Sequence, residues 1–236
     1  MERIVVSVQE GYERWAPTYD REPNPVLRVE ERQLALMLPS LQGKRVLDLA
    51  CGTGRWLGWL MAEGAGAGAG VDLSPAMLGQ ARRKAALTGR LVEADCEAIP
   101  FADAIFDVVV CSFAVAQIND LRRVAREVAR VATLEADVFV TDLHPDAYAQ
   151  GWQTGFRDDR GAVEIATFCR STQEFLAAWT SAGFDCAQMV ECRFGERDRA
   201  ALSQAGKATQ FEALSGVPAV LICHFQRPRR PAAWLL

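Results

Sequence analysis

A glycine turn and three carboxylates can share one piece of chemistry. In "VLDLACGTG" (Val46–Gly54), Asp48 lies inside a short apolar run that ends at Gly52 and Gly54. Glycines between a strand and a helix let backbone approach a ligand with no side chain in the way. A dinucleotide fold wants GxGxxG, but Leu57 holds the third glycine position and Gly58 comes one residue late. The Asp48 carboxylate would repel a pyrophosphate and favours a cationic ligand, such as a sulfonium carrying an ammonium group. Asp72, in "GVDLSPAML", stands where a strand-end acid accepts hydrogen bonds from ribose hydroxyls. Asp95, ending "RLVEAD", can accept from an adenine amino group. Any one of these is an ordinary loop acid. Three at successive strand ends, beside a glycine turn, point into one crevice, because open α/β sheets bind ligands beyond the carboxyl ends of their strands.

The elements that must position them can be read from periodicity. "NPVLRVEERQLALML" predicts a helix with Asn24 as N-cap and Pro25 in its first turn. "RVLDLA", "RLVEAD", "FDVVVCSF" and "ADVFVTDLH" predict buried strands, with helices over "RWLGWLMAE", "SPAMLGQARRKAAL" and "NDLRRVAREVARVA" between them. In the last helix Leu121, Val124, Val128 and Val131 form an apolar stripe while the arginines point to water. Such alternation implies βαβ units and a mostly parallel sheet with helices on both faces. "STQEFLAAWTSAG" opens with a capping box, Ser171 with Glu174. "FDCAQMVECRF" and "PAVLICHFQ" then follow without a clear crossover helix, so one of them runs antiparallel. "DDRG" between "TGF" and "VEIATF" predicts a hairpin insertion. Within "EGAGAGAGVDL" only about Gly70 to Leu73 is expected to pair firmly, the glycine-rich start behaving as a loop.

Composition narrows the function classes. A chain of 236 residues, half of them hydrophobic, can bury a sizeable core as one domain. A formal net charge of -4 gives no electrostatic reason to expect nucleic acid. The basic cluster Arg227 to Pro231 reads as a solvated tail. The seven cysteines include no CxxC, and the two histidines lie far apart, so no metal site is expected and the thiols fit a reducing, cytoplasmic setting. The apolar stretch Trp56–Leu73 carries Glu63 near its middle, and a charge at bilayer centre costs roughly 2.5–3.5 kcal/mol. A membrane span is therefore not expected.

Taken in order, "ERWAPTYD", "VLDLACGTGRW", "GVDLSPAML", "EADCEAIPFAD", "FDVVVCSFAVAQIND" and "LRRVAREVARV" resemble the class I S-adenosylmethionine-dependent methyltransferases over roughly Gly11 to Gly183. The likeness is to the small-molecule branch that includes quinone-ring and malonyl-carrier-protein carboxyl methyltransferases. It implies a Rossmann-like seven-stranded sheet with an antiparallel last strand, and S-adenosylmethionine as cofactor with S-adenosylhomocysteine as product. The single domain then divides into an N-terminal helical lid (1–42), a cofactor-binding core (43–144), a substrate-lid insertion (145–170) and the remainder of the sheet (171–236). By this resemblance Asp48, Ala50, Cys51, Gly52 and Gly54 line the methionine moiety, and Asp72 holds the ribose. Leu73 and Met77 flank the adenine, with Asp95 and Cys96 at its amino edge. Cys111, Ser112 and Gln117 lie beside the sulfur, and Tyr12 and Tyr19 reach substrate or cofactor from the lid. The chain lacks the family's common Pro-Gly-Gly turn, having "TLEAD" there, and has "CSFA" where enzymes methylating DNA or amide nitrogens carry Asn/Asp-Pro-Pro-Tyr/Phe.

For the reaction itself, His144 in "TDLHPD" is the candidate base, with Asp142 two residues away on the same strand face to orient it. The plainer reading is a loop histidine bonded locally. Trp152 is a candidate for an apolar substrate wall, and Arg157 for pairing with a substrate carboxylate, against a solvated surface in which the acids of the insertion take up its arginines. The expected activity is methyl transfer to an oxygen or activated carbon of a small molecule. A carboxyl methyltransferase acting on a free or carrier-bound acid, and a non-catalytic cofactor-binding protein, stand beside it.

Overall fold

The short apolar runs do assemble into a parallel sheet, and its topology brings the acids together. The computed structural model describes residues 3–229. Its elements begin with β1 (Arg3–Val6), α1 (Val8–Trp15), a 3-10 turn at Tyr19–Arg21 and α2 (Pro25–Met37). Next come β2 (Arg45–Leu49), α3 (Arg55–Ala62), β3 (Ala67–Asp72), α4 (Pro75–Ala81) and β4 (Leu91–Glu93). β5 (Phe106–Ser112), α5 (Leu121–Val131), β6 (Ala132–Leu143) and α6 (Pro145–Ala149) follow. β7 (Gly155–Asp158), β8 (Gly161–Ile165), α7 (Thr172–Ser181) and β9 (Asp185–Cys192) lead to α8 (Arg199–Gln204), α9 (Phe211–Ser215) and β10 (Val220–Gln226).

The large sheet has the order β4-β3-β2-β5-β6-β10-β9. Its strands run parallel from β4 to β6, and β10 lies antiparallel to both neighbours. The antiparallel last strand expected from the sequence is thus β10. Helices cover both faces. On one, α5 lays down Leu121, Val124, Ala125, Val128 and Val131 beside Phe175 and Trp179 of α7. On the other, α2 and α3 pack Val29, Leu34, Trp56, Leu57 and Leu60 against Val46, Val108, Val110 and Phe139. Each such side chain, fully buried, contributes about 1.5–3 kcal/mol relative to an exposed one.

Several local expectations are corrected. The segment 1–42 does not begin as helix: β1 pairs parallel with β8, from Arg3↔Ala162 to Val6↔Ile165. Ile4, Val5 and Val6 are consecutive β-branched residues, which favour extended backbone. They also cover one edge of the β7–β8 hairpin, which turns at Asp159–Arg160 and would otherwise stand as two bare strands. α4 is shorter than its pattern, stopping at Ala81; Lys84 then reaches back to the Thr53 carbonyl (2.8 Å). Where the Pro-Gly-Gly turn is missing, α5 runs straight into β6, and residues between Ala132 and Asp137 bulge, with Glu135 at φ 64°. Two short helices, α8 and α9, join β9 to β10, where the sequence showed none. Of the basic cluster, Pro231 and Arg230 lie outside the described residues. Arg227 donates to the Ala132 carbonyl and Arg229 pairs with Glu135 (2.7 Å), so these two tie down the start of β6.

The Gly/Ala run starts as turn and bend through Gly66, as expected, but is strand from Ala67, three residues earlier than expected, paired with β2 from Arg45↔Ala67 to Leu49↔Val71. Only on the β4 side is pairing confined to Gly70–Asp72. The reason is packing. A Cβ on Gly68 would stand 2.7 Å from Met61 Sδ, 2.9 Å from Val46 Cγ2 and 3.0 Å from Leu57 Cδ1. The lack of side chains lets α3 press onto β3. Gly68→Val is expected to cost about 1–3 kcal/mol by overpacking, lowering the thermal midpoint by about 2–4 °C per kcal/mol in a differential scanning measurement.

Candidate active site

Beyond the carboxyl ends of β2, β3, β4 and β5 lies a cavity of about 470 Å³, within the ~300–1,000 Å³ range of small-molecule sites. Its floor is the turn after β2. Ala50 and Gly52 take left-handed backbone, at φ 54° and 53°. A non-glycine residue so held stores about 1–3 kcal/mol, a form of strain that concentrates at functional sites. Phe113, at the end of β5, is a second case at φ 51° and also lines the cavity. Gly54 caps α3 at φ 75°, and a Cβ there would stand 2.3 Å from Leu87 Cδ1.

The carboxylates are fixed by backbone donors. Asp48, only 2% exposed, accepts from the Leu57 N–H through Oδ2 (2.8 Å) and so caps the first turn of α3 from the neighbouring strand. Burial pushes its carboxyl up to about 7; the Leu57 N–H and the charge of Arg55 pull the other way. Asp72 accepts from Gly52 N–H (2.7 Å) and Ser74 N–H (2.8 Å), one on each oxygen. Burial again raises its pKa against those bonds. Each oxygen keeps a lone pair for a ligand. Asp95 accepts from Glu97 N–H (2.8 Å) and faces the same space.

The wall includes Tyr19, Asp48, Ala50, Cys51, Gly52, Asp72, Leu73, Met77, Asp95, Cys96, Ser112 and Gln117, as well as Tyr12. Two of the expected cofactor positions fall outside it. Gly54 shapes the helix start behind the wall. Cys111 is fully buried in the core, because strand alternation turns it away while its neighbour Ser112 faces the site. The reaction and substrate assignments change more. His144 does not line the cavity. Its Nδ1 accepts from Asp146 N–H (3.1 Å) as the N-cap of α6, and its Nε2 lies 3.3 Å from Glu191 without forming a hydrogen bond. Asp142 does not orient it; it accepts from Ala116 N–H (2.8 Å), Leu143 N–H (2.7 Å) and Tyr148 Oη (3.1 Å). Burial raises the Asp142 carboxyl to about 6. Trp152 stacks on Phe194 (6.1 Å) in the α2–α3 core, and Arg157 is exposed on the hairpin. Asp158 takes Arg14 as partner (2.6 Å), and Arg170 donates to the carbonyls of Val115, Ile118 and Asn119.

Sequence reasoning missed residues that build the site from behind. Glu30 of α2 is fully buried and accepts from Arg55 Nη2 (2.7 Å), Ser112 Oγ (2.7 Å), Thr141 Oγ1 (2.8 Å) and Trp56 Nε1 (3.1 Å). In "RVEERQ" it looks like any solvent-facing helix acid. Asp20, next to Tyr19, accepts from Thr53 Oγ1 (2.6 Å) and pairs with Lys84 (2.8 Å), fastening the 3-10 turn onto the glycine turn. Above the cavity, Trp15 stacks on Phe156 (5.1 Å) and meets Tyr19 edge-on (4.8 Å), joining α1 to the hairpin. Tyr19 is pushed up to about 12 by burial, and Tyr12 is raised well above the usual phenol value for the same reason. Both phenols keep their protons at neutral pH.

A family model described as a methyltransferase domain matches residues 46–135, the span from β2 into the start of β6. A phosphatidylethanolamine N-methyltransferase of Cereibacter sphaeroides is 32% identical over 174 residues, covering 65% of this chain and 84% of that protein. The chain belongs to the S-adenosylmethionine-dependent methyltransferase family. A demethylmenaquinone methyltransferase of Thermus thermophilus is 37% identical over 123 residues, covering 50% of this chain and 56% of the relative. The match thus spans little more than half of that relative's length. Among solved structures, an S-adenosylmethionine-dependent methyltransferase from Mesorhizobium loti superposes with a TM-score of 0.67 at 24% identity, over 84% of this chain and 98% of that one. Asp48, Asp72, Asp95 and the glycine turn all lie within the matched span and line the cavity. No helix of the described residues is long and apolar enough to cross a membrane.

The Asp48 carboxyl offers a pH test. It holds its proton to about pH 7 in the folded protein, whereas an unfolded Asp loses it near 3.9. Its contribution to stability is therefore complete below about pH 4 and is lost as pH rises through about 7. In the ligand-free protein, urea unfolding across this range should show the native chain losing on the order of a few kcal/mol relative to Asp48→Asn.

Proposed function

We propose that this methyltransferase moves the methyl group of S-adenosylmethionine to an oxygen, or an activated carbon, of a small-molecule acceptor. The observation that carries the reading is the convergence of Asp48, Asp72 and Asp95 with the glycine turn on one cavity. The cofactor supplies a methyl group already activated by positive sulfur. The protein's part is then alignment and exclusion of water. Asp72 takes the ribose hydroxyls, Asp48 the ammonium group and Asp95 the adenine edge. Tyr12, Gln117 and Ile118 complete the wall on which an acceptor rests.

Two features narrow the acceptor. The histidine of the sequence reading stands outside the cavity and the two phenols hold their protons, so the groups on the described wall that can take a proton are the carboxylates Asp48, Asp72, Asp95 and Glu97. This fits a nucleophile that gives up its proton easily, such as a phenol or enol. Arg55 is the single cation among the described lining residues, and Glu30 already neutralises it. That arrangement speaks against an acid as acceptor, and so against carboxyl methylation.

Titration calorimetry with S-adenosylmethionine tests the reading. The native protein is expected to bind in the micromolar range, and Asp72→Ala to weaken binding at least tenfold, about 1.4 kcal/mol. Equal affinities would remove Asp72 from the site.

A further inference from the structure

The wall segment after β5 is held from outside the cavity. The chain makes a 3-10 turn at Val115–Gln117, and Phe113, Ala114, Gln117, Ile118 and Asn119 line the cavity around it. Its backbone groups are taken up by residues that do not line the cavity. Arg170, at the end of the insertion, donates through Nη1 to the Val115 carbonyl (2.9 Å). Its Nη2 donates to the carbonyls of Ile118 (2.6 Å) and Asn119 (2.8 Å). Asp142 of β6 accepts from the Ala116 N–H (2.8 Å), and the Phe168 N–H donates to the Ala116 carbonyl (2.6 Å).

The Gln117 side chain is locked in the same way. In the amide orientation that satisfies both ends, it donates to the carbonyls of Phe113 (3.1 Å) and Ala114 (3.2 Å), and its oxygen faces Thr154 Oγ1 (3.4 Å). Phe113, at φ 51°, holds a conformation that surrounding contacts must enforce. Behind the turn lies a small void of about 30 Å³, bounded by Val115, Ala116, Asp142, Tyr148, Phe168 and Arg170. Atoms facing a void lack contacts across it, so packing alone gives the turn no firm stop on that side. The hydrogen bonds of Asp142 and Arg170 supply one.

The residue types fit this task. A guanidinium presents its N–H donors in a planar fork that serves several carbonyls at once, where a lysine ammonium is a point. The Asp142 carboxylate meets donors only: the N–H groups of Ala116 and Leu143 (2.7 Å) and the Tyr148 hydroxyl (3.1 Å). An ionised carboxylate accepts on both oxygens, whereas an amide of the same size must turn its nitrogen on one of those donors.

We propose that Arg170 and Asp142 are positioning residues that hold the turn at residues 113–119 where Gln117 and Ile118 close the cavity on a bound ligand. The part played by that ligand, S-adenosylmethionine, rests on the function proposed above. The insertion thereby takes part in the site: Thr154, Phe168 and Arg170 all reach the turn, although none of them lines the cavity.

Amide hydrogen exchange, read peptide by peptide, and calorimetry with S-adenosylmethionine test this together. In Asp142→Asn the amide oxygen can keep Leu143 and Tyr148, leaving the nitrogen against the Ala116 N–H, so the shape stays and the hold is lost. In Asp142→Asn and in Arg170→Met, residues 113–119 should exchange about tenfold faster or more, with residues 108–110 of β5 unchanged. Affinity for S-adenosylmethionine should fall about threefold or more in both. Arg170→Lys should recover part of each effect, and with Asp142→Asn it carries the comparison should Arg170→Met not fold. Equal acceleration in the turn and in β5, or none in the turn, would overturn the proposal. Faster exchange in the turn with unchanged affinity would overturn it too, since the turn would then not set the site. Native protein that binds no S-adenosylmethionine would instead overturn the functional reading, while the exchange data would still decide whether these two residues fix the turn.

Discussion

The buried carboxylate of Glu30 is the interaction on which the rest of the arrangement depends. A carboxylate removed from water costs several kcal/mol, and only donors with good geometry offset that. Here they come from three directions: Arg55 and Trp56 from α3, Ser112 from β5 and Thr141 from β6. No pair of these elements could satisfy Glu30 alone. α2 therefore docks at one height and one rotation, and the N-terminal segment that precedes it is carried to the mouth of the cavity. A hydrophobic residue at this position would hold α2 as firmly but would leave Arg55 and Ser112 unset.

A second set of contacts brings that segment down over the site. Asp20 meets Thr53 and Lys84 at the glycine turn, Arg14 meets Asp158 on the hairpin, and Trp15 stacks on Phe156. These clasps are partly exposed ion pairs and aromatic contacts, each worth about 1 kcal/mol or less. Glu30 anchors the far end of the segment more strongly. A cover with a firm root and weak clasps is suited to opening at its edge while staying attached.

The convergence of the three acids on one cavity was legible because it is written in local rules. Asp48, Asp72 and Asp95 are visible as acids at the ends of apolar runs, and chain topology alone brings strand ends together. Errors arose where a residue's neighbours lie far away in sequence. Cys111 and Ser112 are adjacent, and only the pleat decides which one faces the ligand. His144 looked chemically apt, but its Nδ1 is spent capping α6. The Gly68 environment depends on Met61 and Val46, so a strand made for close packing reads as a spacer. Glu30 left no trace at all, since periodicity on α2 records which positions are apolar and not which acid will be buried.

The charge of the cavity then bears on the chemistry it can perform. Of the acids on the wall, Asp48 has a carboxyl raised to about 7 when no ligand is present, because burial penalises its charge. A bound cation next to it would reverse that penalty and draw it into the ionised form. Binding of any cation beside Asp48 and ionisation of that carboxyl are thus linked, and the attraction is greatest for a ligand that carries positive charge.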